Sequence, residues 1–82
     1  MPVVLRVGPY RFVIYVDEPD EPPHVHVKRD RSEAKFWLSP VRLAHATGYR
    51  ATELRKIARL IEAHRDPLID AWNNRPRPGD RA

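Results

Sequence analysis

Apolar and polar positions alternate through the first half of the chain, and the period becomes helical in the second half. Val3 to Val7 and Tyr10 to Val16 are rich in β-branched and aromatic residues, with Gly8-Pro9 between them. This spacing predicts a hairpin whose two-residue loop uses Gly8 for a positive φ. Val7 then faces Tyr10, Leu5 faces Phe12 and Val3 faces Ile14 on the core side. Arg6, Arg11, Val13 and Tyr15 fall on the other face. Asp17 to Pro23 carries three prolines among acidic residues and reads as a loop.

A second hairpin is predicted from His24 to Lys28 and Glu33 to Leu38, around Arg29-Asp30-Arg31-Ser32. In the simplest register Lys28 faces Glu33, His26 faces Lys35 and His24 faces Trp37. The intervening pairs, Val27 with Ala34 and Val25 with Phe36, are apolar and point inward. Within Pro40 to Ala46, Val41, Leu43 and His45 alternate as in a short edge strand, which Gly48 ends.

From Ala51 onward Leu54, Ile57, Ile61, Leu68 and Trp72 form a helical stripe. Pro67 interrupts it, so a kink or a new helix is expected, with Asp66 as its cap and Pro67 at its first position. Residues 75–82 read as a disordered polar tail after a single domain at 1–74. The expected fold class is α+β: an antiparallel sheet of four to five strands, covered on one face by a C-terminal helix kinked or split at Pro67. The open face is expected to carry Arg6, Arg11, Tyr15, His24, His26, Lys28, Lys35 and Trp37.

Composition narrows the function classes. The chain has 82 residues, enough for one domain, and lacks cysteine, which excludes disulfides and thiolate zinc sites. A core this small is marginal, so a homodimer or a tightly bound partner is a candidate source of stability. No apolar run approaches the roughly 20 residues that span a bilayer, and no signal peptide is recognisable at Met1 to Arg6, so a cytoplasmic location is expected. The net charge of +4 favours anionic partners, nucleic acid or an acidic protein.

His24 and His26 stand two apart on a strand and project from one face. Metal binding needs further ligands, which the acidic loop could supply. Acid–base cleavage of RNA needs one neutral and one charged imidazole, with Lys35 stabilising the phosphate. A docking surface needs only the same residues, with Tyr15 and Trp37 to stack bases and Arg6, Arg11 and Lys28 to meet phosphates. A sheet surface finished by stacked rings needs no ligand at all. His45 and His64 read as isolated polar residues, Trp72 as packing, and Arg55, Lys56 and Arg59 as a solvated helix face.

The string Pro22-Pro23-His24-Val25-His26-Val27 resembles that of a bacterial family known as domain-of-unknown-function family 4160. The likeness extends to Pro2 to Arg6, Tyr10-Arg11-Phe12, Ala34 to Leu38, Gly48-Tyr49, Glu53-Leu54 and Ala71-Trp72-Asn73. Arg50, where the family usually has a capping Ser, and Pro67 depart from its pattern. The resemblance implies a small protein that often sits beside a member of family 2442 in a toxin–antitoxin-like pair. The leading expectation is therefore a toxin-like chain acting on nucleic acid, RNA ahead of DNA, through His24 and His26. Such a chain would be a metal-independent ribonuclease with no cofactor, paired with a small antitoxin-like protein. The alternative is a non-catalytic module that binds a small protein or DNA.

Overall fold

The structure, a computed structural model, describes residues 3–15 and 21–75. Five strands come first: β1 (Val3–Val7), β2 (Tyr10–Val13), β3 (His24–Arg29), β4 (Ser32–Leu38) and β5 (Val41–Thr47). Two helices follow, α1 (Ala51–Ala63) and α2 (Arg65–Asn73). The strands form one antiparallel sheet in the order β1-β2-β3-β4-β5, so each strand pairs with its neighbour in sequence. The fold is the expected α+β class. Val16 of the expected second strand, the acidic loop residues Asp17, Glu18 and Asp20, and the tail from Pro76 lie outside the described residues.

The second hairpin has the register that its alternation predicts, from His24↔Trp37 to Lys28↔Glu33. One further pair, Arg29↔Ser32, shortens the loop to Asp30-Arg31. Asp30 takes a φ of 54°, which a short polar side chain tolerates. The first hairpin departs from expectation beyond Leu5↔Phe12: Val3 pairs with Val13 rather than Ile14. Val4 is the extra residue of a bulge, which shifts the register by one. Gly8 has the positive φ its turn requires. The ambiguous segment after Pro40 is a full strand of seven residues, with a bulge at Ala44 that lets Leu43 and Ala46 both face the core side.

Ile57, Ile61, Leu68 and Trp72 are buried against Phe12, Val25, Val27 and Phe36. α1 lies along β5, while α2 crosses to β1 and β4. Leu5 is only half-buried, because β1 is an edge strand. The break comes where the sequence places it, but α2 starts at Arg65, ahead of the expected cap Asp66. The His64 carbonyl accepts from the Leu68 amide, so the new helix begins a turn before Leu68. Pro67 sits inside that first turn, where a missing N–H has no helical acceptor to forgo. Asp66 instead places its negative charge near the helix N-terminus.

Candidate nucleic-acid interface

Alternation gives the sheet two unlike faces. Opposite the helices, register aligns three rows of side chains across the strands. Arg6, Arg11, Lys28, Glu33 and Thr47 make the first; Val13, His26, Lys35 and His45 the second; His24, Trp37 and Arg42 the third. Register aligns the sequence-predicted strand residues here, with Tyr15 joining through a ring contact 4.7 Å from His26, while His24 at the start of β3 also meets Trp72 of α2. Arg42 was missed, because only the full length and bulge of β5 bring it beside Trp37.

The rows place one cation on each strand: Arg6, Arg11 and Lys28 lie side by side in the first row, and Lys35 and Arg42 step one row further each. Four inter-strand steps and a four-residue offset make this track roughly 20–25 Å long. Lys35 meets Glu21 at 2.7 Å and lies 4.7 Å from the centre of the Trp37 ring. Lys28 is 3.9 Å from Glu33 and 5.2 Å from the Tyr15 ring, and the Tyr15 phenol holds its ammonium pKa above the ordinary lysine value. Among the described residues Arg6, Arg11 and Arg42 have no carboxylate partner.

The expectation that the two histidines lie open on this face is corrected. His24 is 1% exposed and His26 8%. The His24 ring lies 4.6 Å from Trp72, 5.7 Å from Trp37 and 5.5 Å from His26, so aromatic rings close around it. Its Nδ1 is 3.0 Å from the Pro22 carbonyl oxygen, which makes Nδ1–H the donor of that bond. His26 points Nδ1 at Glu33 Oε2, 3.2 Å away. The sequence stripe identifies Trp72 as packing, but it does not show that α2 carries the ring to His24. Among the described residues no group of three or more His, Asp or Glu could hold a metal ion. No helix is long and apolar enough to cross a membrane.

A family model described as Domain of unknown function (DUF4160) matches residues 10–73. The chain belongs to this family. No curated protein and no solved structure matches it.

Several residues that carry the DUF4160 resemblance meet on the helix side, where no role was foreseen for them. Glu53, in the first turn of α1, accepts from the Tyr10 hydroxyl at 2.7 Å and from Arg29 Nε and Nη2, each at 2.9 Å. The Tyr10 hydrogen bond, then the guanidinium, hold the Glu53 carboxyl below its usual pKa. Burial, then the Glu53 carboxylate, push the Tyr10 phenol up. Tyr49 lies beside Arg29 and donates to the Val27 carbonyl, and burial pushes its phenol to about 12. Gly48 makes this approach feasible: its φ is 87°, and a Cβ there would lie 2.6 Å from Ser32 Oγ. Arg50 takes the N-cap position without a side-chain cap bond, so Glu53 and its partners anchor the helix start instead.

Proposed function

We propose that this DUF4160 chain binds RNA on the sheet face opposite its helices, as the toxin-like member of a small two-protein module. The observation that supports binding is the track of five cations, one per strand, flanked by Trp37 and Tyr15. Phosphates are met by such spaced cations, and bases stack on neighbouring rings. The track is long enough for on the order of 4 nucleotides, the lower end of what small single-strand-binding domains hold. Arg6, Arg11 and Arg42, which have no carboxylate partner among the described residues, meet phosphate first, since Lys28 and Lys35 must exchange a carboxylate for it.

A catalytic reading has one observation in its favour, the Glu33 carboxylate oriented toward His26 Nδ1. Acid–base cleavage needs two imidazoles within hydrogen-bond reach of one ribose phosphate. His24, walled by Trp37 and Trp72, reaches no such group without moving a tryptophan. Binding without turnover is therefore the better reading of this face. The toxin-like role rests on the family resemblance, and it expects growth arrest on expression alone that the neighbouring reading frame relieves.

The test is fluorescence anisotropy with a labelled mixed-sequence single-stranded RNA in chelator, with the same RNA run on a gel afterwards. Saturable binding with intact RNA is expected. Cleavage lost in both His24→Ala and His26→Ala would restore the catalytic reading, and absence of binding would end the proposal.

A further inference from the structure

We propose that the outer edge of β5 accepts an extended, acidic segment of a partner protein as a sixth strand of the sheet. Among the described residues β5 has a neighbour on one side alone, β4. Its seven residues offer a long row of backbone donors and acceptors on the other side. Strand addition of this kind takes its affinity from main-chain hydrogen bonds and its selectivity from alternate side chains.

The surroundings of that edge specify the chemistry of the strand. Register turns Leu43 toward the helix side, yet it is 43% exposed. α1 lies along β5 and its rotation is fixed by Glu53 and Lys56, which both approach Tyr10. At 3.6 residues per turn Ala51, Arg55 and Ala58 share the flank of α1 away from Glu53 and Lys56. Leu43 thus leaves an exposed apolar side chain on the helix side of the edge strand. Arg42, its neighbour in the strand, lies on the other face by register.

No Asp or Glu occurs between Ser39 and Thr52, where Arg42 and Arg50 both fall. The edge is therefore complementary to an acidic strand with apolar residues at alternate positions. Charge also argues against a second copy of this chain, because pairing β5 with itself would bring two basic borders together. The proposal shares Arg42 with the RNA reading, which otherwise uses the sheet face rather than its edge, so Leu43→Asp, outside the cation track, tells the two apart.

The test is an NMR titration of the isotopically labelled full chain with two synthetic heptapeptides, one alternating Glu and Val and the other alternating Lys and Val. The Glu/Val peptide should shift the amides of residues 41–47 saturably and slow their hydrogen exchange, and the Lys/Val peptide should not. Leu43→Asp, at an exposed position, should weaken that binding at least tenfold while the β1–β2 amides keep their shifts. Equal response to both peptides, no response, or shifts confined to Arg6 and Arg11 would overturn the proposal. Sedimentation showing a dimer that Leu43→Asp dissolves would assign the edge to a second copy and overturn it as well.

Discussion

Arg29 and Glu53 meet through two parallel hydrogen bonds, both 2.9 Å, that tie the end of β3 to the first turn of α1. The Tyr10 hydroxyl adds a third bond to the same carboxylate. Glu53 has its pKa lowered by these donors, so its contribution to stability is present above the ordinary carboxylate value of 4.5 and is lost as pH falls through the lowered one. Glu53→Gln should lower Tm at pH 7 and flatten the decline between pH 5 and the acid limit. Parallel Tm–pH curves for the two proteins would show that the carboxylate contributes nothing specific.

Tyr49 gives the opposite sign. Its pKa is raised from 10.0 to about 12 by burial, so its contribution is complete below pH 10 and disappears as pH rises toward 12. Tyr49→Phe loses the bond to the Val27 carbonyl and should be less stable at neutral pH. It should also lose less stability than the wild type between pH 10 and 12, which denaturant melts across that range would read.

Ile57 is fully buried on the core side of α1. Ile57→Ala should cost about 2–5 kcal/mol, the usual range for removing a buried branched side chain. A loss under about 0.5 kcal/mol in urea melts would place the stripe of α1 outside the core, since exposed substitutions fall in that range.

His24 lies among Trp37, Trp72 and His26 as a packed ring. His24→Ala should destabilise the fold by about 1–3 kcal/mol, as buried deletions commonly do. It should also change Trp fluorescence and leave RNA affinity within a few-fold of wild type at a temperature where the variant stays folded. A large loss of affinity without loss of stability would make His24 a ligand-contacting residue.

The register of the second hairpin, though not the length of its loop, was readable, because Val25, Val27, Ala34 and Phe36 admit one register that buries all four. The bulges at Val4 and Ala44 were not, since an extra residue in a strand leaves no mark in an apolar run. Without the second bulge Arg42 could not be aligned with Trp37, so one end of the cationic track stayed hidden. The histidines are neighbours as expected, but His24 is closed in by Trp72, 48 residues beyond it in the chain, and no local pattern encodes that distance. Tyr10, Gly48, Tyr49 and Glu53 were visible only as family-like residues, because their joint role comes from tertiary contact.

The sheet face is tested most directly by the salt dependence of RNA affinity in the wild type and in Arg6→Ala/Arg11→Ala/Arg42→Ala. Each phosphate contact on a single strand contributes about 0.7 to the slope of log K against log salt. The triple variant should bind the same single-stranded RNA more weakly at low salt, with a slope shallower by about 2. Unchanged affinity and slope in a variant whose melting curve matches the wild type would contradict the assignment of RNA to this face.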